Sequence, residues 1–356
     1  MPIGSVFGAG MGAPETGTAA VSVPSISAPY TTHPTVFIVE DTYQIAFATN
    51  ATGLAWVEIG GVRYTDAQNG LLRWKSKYHK ITVPQSALDA AGSYKICFRS
   101  LSDRPSYDPA PGSTVSRTYP FDPIPQDRAP VFYCASDQHG DNTHALNISK
   151  YKAFDVYYFG GDYVSTLVEE ASLKLLLDMT GSVTQGRKPT IYARGNHEIR
   201  GSKCEELANI AAFSEKTGAY YTVEMPGIFG IVLDSGEDKA DSHEAYGGTT
   251  QFQPYRDAQT QWLREVLDSR VWEKYPVRMV FAHVPIGFNA QDIFEGPYKE
   301  WTELLDQMGV SLLISGHKHY YGAYGPNSTK YKSDPNFSTL LMSDRENEGV
   351  GVAYSA

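Results

Sequence analysis

The chain has 356 residues, of which 42% are hydrophobic and 20% are charged, and its formal net charge is −10. This length predicts roughly two or three domains, and the composition is that of a globular protein, which excludes a collagen or a largely disordered chain. No apolar run reaches the ~18 residues of a membrane span, and the acidic charge argues against a nucleic-acid polymer as partner, because a phosphate backbone needs a basic protein surface.

The N-terminal residues 1–28 are rich in Gly, Ala, Ser, Thr and Pro, which predicts a flexible arm. They contain no basic segment followed by an apolar one, so they do not form a signal peptide. We therefore expect a cytoplasmic protein; a secreted mature form, whose leader was removed, is the alternative. Cys97, Cys134 and Cys204 include no C-x-x-C pair, so neither a disulfide framework nor a thiolate zinc site is indicated.

Residues 29–122 have the pattern of short β-strands. The run Tyr43–Phe47 alternates large apolar with other residues, which predicts a half-buried strand. Gly60-Gly61 lies between two strand-like runs and predicts a hairpin. Strands at this spacing are typical of a small fibronectin- or immunoglobulin-like β-sandwich. Prolines are dense between residues 105 and 130, and we place a stiff linker at 123–130.

The remainder of the chain, 131–356, alternates apolar strand-like runs with helical patterns. The strand-like runs are apolar at nearly every position, which is typical of strands buried between two layers. Apolar residues recur at helical spacing from Val164 to Leu175 and from Trp301 to Met308, and each set predicts an amphipathic helix. The second domain is therefore predicted to be α/β, with a buried sheet covered by helices.

Polar residues follow five of these strands directly. Ligands of α/β sheets bind beyond the carboxyl ends of the strands, so these residues are candidates for chemistry. They also include five of the nine histidines in the chain. Imidazole, carboxylate and amide groups without a thiolate suit Mn, Fe or Zn, and two such ions can act together on a phosphoryl group. The candidates are Asp137, His139, Asp162, Asn196, His197, His283, His317 and His319.

In order along the chain, these residues form the motifs D-x-H, G-D, G-N-H-E, H and G-H-x-H. This order resembles the calcineurin-like metallophosphoesterase superfamily over roughly residues 131–345. The preceding β domain is similar to that of purple acid phosphatases and their bacterial relatives. The resemblance implies a metallophosphoesterase β-sandwich flanked by helices in four layers, preceded by the smaller all-β domain. It also implies a dinuclear centre of two divalent or trivalent ions (Mn, Fe or Zn) and a bridging hydroxide as nucleophile.

The resemblance also implies a role for each residue. One metal would be held by Asp137, His139, Asp162 and His319, and the other by Asp162, Asn196, His283 and His317. His197 would contact the phosphate and act as general acid.

Two positions depart from the related families. Purple acid phosphatases have a tyrosine where this chain has Ser165 and a glycine where it has His139. The protein serine/threonine phosphatases have an aspartate at the position of Ser165, which orients the histidine of G-N-H-E. The partner of His197 is therefore not identified by sequence.

Three further residues are candidates for substrate contact. Arg194 and Arg200 flank G-N-H-E, where a guanidinium can bind phosphate with two hydrogen bonds, although a salt bridge with a nearby carboxylate is the alternative for each. His243 lies in a polar loop at 235–256, where an ordinary exposed histidine is the alternative.

Taken together, the residues predict a metal-dependent phosphoester hydrolase acting on a small phosphorylated substrate, with a phosphomonoester favoured by the domain order. One alternative is a phosphodiesterase acting on nucleotides or cyclic nucleotides. An alternative of another class is a binding module with a non-catalytic metal site. The sequence does not predict an oligomeric state.

Overall fold

The computed structural model describes residues 22–103, 111–288, 295–342 and 350–353. Most of the predicted arm, 1–21, lies outside the described residues. The strands are β1 Thr35–Val39, β2 Thr42–Ala48, β3 Gly53–Ile59, β4 Val62–Thr65, β5 Ala67–Gln68, β6 Leu71–Leu72, β7 Tyr78–Pro84, β8 Ser93–Ser100, β9 Thr114–Pro120, β10 Val131–Ala135, β11 Val156–Phe159, β12 Pro189–Tyr192, β13 Tyr221–Met225, β14 Ile228–Leu233, β15 Val277–Ala282, β16 Leu312–Ser315, β17 Tyr321–Tyr324, β18 Ser338–Met342 and β19 Val350–Ala353. The α-helices are α1 Gln85–Ala91, α2 Thr143–Ile148, α3 Glu170–Thr184, α4 Phe252–Ser269 and α5 Glu295–Gln307, and short 3₁₀ helices span Cys204–Asn209, Glu244–Tyr246 and Val271–Lys274.

Two large sheets form the centre of the molecule. One has seven strands in the order β19-β10-β11-β12-β1-β2-β7, of which β10, β11, β12 and β1 are parallel. The other has six strands in the order β13-β14-β15-β16-β18-β17, of which β14, β15, β16 and β18 are parallel. The carboxyl ends of the parallel strands in each sheet therefore meet at one edge.

The two sheets stack face to face through aromatic side chains. The ring of Phe281 in β15 lies 6.1 Å from that of Phe132 in β10 and 4.9 Å from that of Tyr158 in β11. Neighbouring side chains of β15 lie on opposite faces of the sheet. Phe281 packs in the interior between the two sheets, whereas Val280 packs on the outer face against α4 and α5. Strands buried on both faces in this way have the nearly continuous apolar sequences that the chain shows.

Helices cover the outer faces of both sheets. Apolar residues of α3, including Leu173 and Leu177, pack in the same core as the seven-stranded sheet. Leu263 of α4 and Trp301 of α5 pack against the six-stranded sheet. The mixed α/β fold that the sequence predicts is confirmed, with two β layers between two helical layers. None of the described helices is both long and apolar enough to cross a bilayer.

The N-terminal region is rich in strands, as expected, and Gly60-Gly61 forms the predicted hairpin between β3 and β4 with positive φ at both glycines. Its strands are divided, however, between three sheets, of which the smallest pairs only β5 with β6. β3, β4, β8 and β9 form a separate four-stranded sheet, whereas β1, β2 and β7 belong to the seven-stranded sheet, with β1 parallel to β12 through Val36 and Pro189. Sheet hydrogen bonding thus crosses the predicted boundary at 123–130, and the division into domains stays a prediction.

This arrangement corrects the expectation for the Tyr43–Phe47 run. β2 is buried on both faces rather than half-buried, because it lies between β1 and β7 inside the large sheet and is covered by the four-stranded sheet as well. Phe47, for example, packs between Tyr30 and His79, at ring distances of 5.8 and 5.4 Å. Local alternation did not reveal this burial, because it depends on strands that are distant in the sequence.

The helix expected from Val164 to Leu175 begins later, at Glu170. The preceding residues form a loop beside the histidine of G-N-H-E. Leu167 N–H donates to the Arg200 carbonyl at 2.8 Å, and Lys203 N–H donates to the Leu167 carbonyl at 2.8 Å. The backbone of this segment is thus bonded to the loop after β12 instead of to itself.

Candidate metal centre

The predicted ligands occupy loops at the carboxyl ends of the strands, and their backbone conformation is unusual. Five of them have positive φ, a region that residues other than glycine rarely adopt and that costs roughly 1–3 kcal/mol where it is strained. Such conformations persist where the surrounding structure holds them, and they are common at functional sites. These residues are Asp137 (φ 56°), His139 (45°), Asp162 (54°), His317 (68°) and His319 (53°).

Two glycines allow these loops to approach one another closely. A Cβ atom on Gly195 would lie 2.2 Å from Asp162 Oδ1, and one on Gly316 would lie 2.0 Å from Ser136 Oγ. Real Cβ atoms do not tolerate such distances, so glycine is required at both positions. They are the glycines of the G-N-H-E and G-H-x-H motifs.

Asp137, His139 and His319 form the first group of potential ligands. Asp137 Oδ2 accepts hydrogen bonds from Ser136 Oγ and from His317 N–H, the latter at 2.9 Å. Its Oδ1 lies 3.4 Å from His319 Nε2, and the His139 ring stacks on that of His319 at 5.2 Å. Among the described residues, Asp137 Oδ1 and both ring nitrogens of His139 have no hydrogen-bond partner although they are buried.

Asp162, His283 and His317 form the second group, with Asn196 beside them. His283 Nε2 lies 3.1 Å from Asp162 Oδ2 and 3.1 Å from Asn196 Oδ1, and His317 Nδ1 lies 3.2 Å from the same amide oxygen. His283 Nδ1 donates to the Gly160 carbonyl at 2.6 Å, which directs its Nε2 atom into the group. Burial and the charge of His283 lower the pKa of His317 to about 4, so the His317 ring is neutral and can bind a metal.

Asp162 lies between the two groups. Its carboxylate is within 4.8 Å of ring nitrogens of His139 and His197 on one side and of His283 and His317 on the other. Burial raises the pKa of Asp162, but the charge of His283 and a 2.9 Å hydrogen bond from His197 N–H outweigh burial and hold the pKa well below its usual range. Burial lowers the pKa of His283, but the carboxylates of Asp162 and Asp137 outweigh it and raise that pKa to about 10. In the protein alone, a proton on His283 thus balances carboxylate charge that a cation can balance instead.

The arrangement as a whole fits cations. Carboxylate and imidazole atoms of buried and partly buried residues lie within 4.8 Å of one another in each group, and the Asn196 amide oxygen lies beside the second group. Several of these atoms have no hydrogen-bond partner in the described part of the chain, and this oxygen and nitrogen set suits Mn, Fe or Zn.

The comparisons with known proteins agree with this geometry. The model of the calcineurin-like phosphoesterase family matches residues 131–321. The chain belongs to this family.

Two solved structures resemble this calcineurin-like phosphoesterase over most of its length. A purple acid phosphatase from yellow lupin (Lupinus luteus) seeds has a TM-score of 0.57 and 14% identity, covering 91% of this chain and 66%, just under two thirds, of its own. PhoD has a TM-score of 0.54 and 10% identity, covering 90% of this chain and 78% of its own. At these identities the likeness shows the fold alone. No curated protein sequence matches the chain.

His197 has a hydrogen-bond partner that the sequence did not identify. His197 Nδ1 donates to the backbone carbonyl of Ser165 at 2.9 Å, so residue 165 orients the ring through its main chain even though its side chain is not a carboxylate. The Nε2 atom lies 3.8 Å from Asp162 Oδ2 and 3.1 Å from Arg200 Nη1. The side chain remains 26% exposed, so a substrate can reach it.

Arg194 and Arg200 both form the salt bridges that were the alternative to substrate contact. Arg194 Nη2 binds Asp234 Oδ2 at 2.6 Å, and the Arg194 side chain is only 16% exposed to solvent. Arg200 binds Glu237 with two hydrogen bonds of 2.5 and 2.9 Å, but it also contacts His197. Contact of either arginine with substrate stays a prediction.

His243 is exposed, and its Nδ1 accepts a hydrogen bond from Ala245 N–H at 3.2 Å at the start of the 3₁₀ helix Glu244–Tyr246. Within the described part of the chain, it makes no contact with the potential metal ligands. Its predicted role toward the substrate is untested.

Two buried carboxylates near the centre were not singled out from sequence. Glu198 accepts backbone hydrogen bonds from Asp162, Tyr163 and Gly195 at 3.0, 2.6 and 2.6 Å, which ties the loops after β11 and β12 together; burial and the charge of Asp162 raise its pKa to about 8. Glu237, in the loop after β14, binds Arg200 and Asn196. Glu198 belongs to the G-N-H-E motif and was visible there, whereas Glu237 belongs to no motif.

Proposed function

We propose that this phosphoesterase hydrolyses small phosphomonoesters with two metal ions. One ion would be held by Asp137, His139, Asp162 and His319, and the other by Asp162, Asn196, His283 and His317, so that Asp162 is shared. The observation that carries the proposal is the convergence of these buried and partly buried groups, including the two His139 nitrogens that have no hydrogen-bond partner among the described residues. When bound, the ions would polarise the phosphoryl oxygens and supply a bridging hydroxide as nucleophile by lowering the pKa of a shared water.

The protein's own part in the reaction belongs mainly to His197. As the water oxygen bonds to phosphorus, the bond from phosphorus to the leaving oxygen breaks, and the leaving oxygen gains negative charge. Protonated His197 donates its Nε2 proton to it, so an alcohol and inorganic phosphate result. The hydrogen bond from Nδ1 to the Ser165 carbonyl holds Nε2 toward the centre. Arg200 Nη1, 3.1 Å from Nε2, can donate to that nitrogen once its proton has passed to the leaving oxygen.

The proposal is tested by a comparison of two synthetic substrates. The protein is stripped with a chelator, reloaded with Mn, Zn or Fe, and assayed with p-nitrophenyl phosphate and bis-p-nitrophenyl phosphate. We expect activity that depends on the metal and a clear preference for the monoester. Preference for the diester would replace the proposal with a phosphodiesterase, and binding of metal without turnover of either ester would favour a binding module.

A suitable control is His139→Ala, purified in parallel. Because neither ring nitrogen of His139 has a hydrogen-bond partner in the described structure, its removal breaks no internal hydrogen bond there. Activity that persists in this variant would indicate a contaminating phosphatase.

A further inference from the structure

Glu237 contacts both the proposed metal centre and the proposed acid. It lies in the loop after β14 and is 1% exposed. Its Oε2 accepts from Asn196 Nδ2 at 3.3 Å, while Oε1 and Oε2 bind Arg200 Nε and Nη2 at 2.5 and 2.9 Å. Arg200 Nη1 in turn lies 3.1 Å from His197 Nε2. One buried carboxylate therefore contacts a potential ligand directly and His197 through one residue.

The Asn196 amide can be placed in two orientations, because its oxygen and nitrogen have nearly the same shape, and the two placements have opposite consequences. In the first, Oδ1 faces His283 Nε2 and His317 Nδ1 at 3.1 and 3.2 Å, where it can bind a cation. In the second, with the amide rotated by half a turn, Nδ2 would donate to Asp162 Oδ2 and to the neutral His317 Nδ1 at 3.3 and 3.2 Å, and Oδ1 would accept from Arg200 Nη2 at 2.8 Å. An N–H group carries no lone pair for a metal, so only the first orientation supplies a ligand.

Glu237 and Arg200 favour different orientations. The carboxylate of Glu237 can only accept, so it is satisfied by Nδ2 in the first orientation and repels Oδ1 in the second. Arg200 can only donate, so it is satisfied by Oδ1 in the second orientation and faces Nδ2 at the same 2.8 Å in the first. The two side chains form one ion pair, yet they act on the amide in opposite directions.

We propose that Glu237 is a positioning residue that holds the Asn196 amide in its metal-binding orientation against the competing pull of Arg200. This inference rests on the proposed dinuclear centre. By engaging Arg200 with two hydrogen bonds, Glu237 also keeps that guanidinium available to His197. The same carboxylate thus sets the orientation of one ligand and the position of the cation beside the acid.

Because Glu237 and Arg200 favour opposite orientations of the Asn196 amide, measurements of metal binding alone can test the inference. Mn²⁺ and Zn²⁺ affinities and stoichiometries are measured by calorimetry and equilibrium dialysis on chelator-stripped wild type, Glu237→Gln, Glu237→Ala and Arg200→Met. For Glu237→Ala we expect the affinity of one of the two sites to fall about 10–100-fold, the usual effect of losing a group that orients a ligand, and the other site to be unchanged. The loss in Glu237→Gln should be smaller. Arg200→Met should leave that affinity equal to the wild type or tighter.

A merely structural ion pair predicts a different pattern, in which removal of either partner weakens binding to the same extent. That result, or unchanged affinity in both Glu237 variants, would overturn the inference. Asp234→Asn is the matched control, because Asp234 is also a buried carboxylate that pairs with an arginine on the same loop, but it does not contact Asn196. It should keep both metals at wild-type affinity.

The failure of the two proposals can be told apart. Wild-type protein that binds fewer than two ions contradicts the dinuclear centre and with it the inference. Wild-type protein that binds two ions but hydrolyses neither ester contradicts the function alone, and the variant affinities still decide the role of Glu237.

Discussion

Asp162 is the residue on which both proposed metal positions depend. It contributes to ligand groups on either side and accepts the His197 N–H as well. We expect Asp162→Ala to abolish binding at both positions, because each loses a shared carboxylate, and metal analysis after dialysis should find less than one ion per chain. Retention of one ion at full occupancy would show that Asp162 serves a single position.

His197 should behave differently, since it is placed to contact substrate and is not one of the proposed ligands. We expect His197→Ala to keep both metals and to lower kcat by about 10²–10⁴-fold for esters with poor leaving groups, the usual contribution of a general acid. The loss should be smaller for p-nitrophenyl phosphate, whose phenolate departs without a proton. Rates with p-nitrophenyl and phenyl phosphate, together with metal analysis, check this; loss of metal would mean that His197 is a ligand.

At the scale of single residues, the order of the motifs in the sequence was sufficient to identify the potential metal ligands. Each follows a strand, and parallel strands bring their carboxyl ends together, so local sequence and sheet geometry determine the site between them. Glu237 could not be found in this way. It is 41 positions from Asn196 and lies in an irregular loop, so its contact depends on how the loop folds over the centre.

At the scale of elements, β7 carries a buried histidine that we expect to make the free energy of unfolding depend on pH. His79 packs between Phe47 and Phe98, at ring distances of 5.4 and 5.5 Å, and its Nε2 lies 3.2 Å from Thr49 Oγ1. Burial, aided by the charge of Arg73, lowers its pKa from 6.5 to about 3. Between these values the unfolded chain binds a proton that the folded protein does not, so the contribution to stability is complete above pH 6.5 and is lost as the pH falls.

From pH 7.5 to pH 4.5, this histidine should remove about 2–3 kcal/mol from the free energy of unfolding. His79→Gln keeps a polar group for Thr49 but does not titrate, so its stability should fall less over the same range. Urea unfolding of both proteins at the two pH values measures the difference, in which contributions of the other titrating groups cancel. Equal losses in the two proteins would mean that His79 is solvated in the folded state.

Elements also show where local pattern was insufficient. The strands at 131–135, 156–159 and 277–282 were predicted correctly, because burial on both faces leaves a nearly continuous apolar run. Helix α3 begins at Glu170 rather than near Val164, since the backbone before it bonds to the loop after β12. Periodicity identified the apolar residues there but not the competing hydrogen bonds.

At the scale of the whole molecule, three N-terminal strands, β1, β2 and β7, continue the seven-stranded sheet. β1 is buried at every position and pairs with β12 on one side and β2 on the other. Further bonds cross the predicted boundary, including Gln44 Nε2 to the Phe213 carbonyl at 2.7 Å and Glu40 N–H to the Thr222 carbonyl at 2.7 Å. Separation at residues 123–130 would expose these groups and the apolar faces around them.

We therefore expect the protein to unfold as one cooperative unit. Calorimetry on the full chain should give a single transition whose calorimetric and van't Hoff enthalpies agree, and Phe37→Ala, which opens a cavity in β1, should destabilise that whole transition by about 3–5 kcal/mol. The fragment 131–356 should lack a cooperative transition, because the β12 edge would lose its partner strand. Two separate transitions in the full chain, one of them reproduced by the fragment 29–122, would instead establish an independent N-terminal domain.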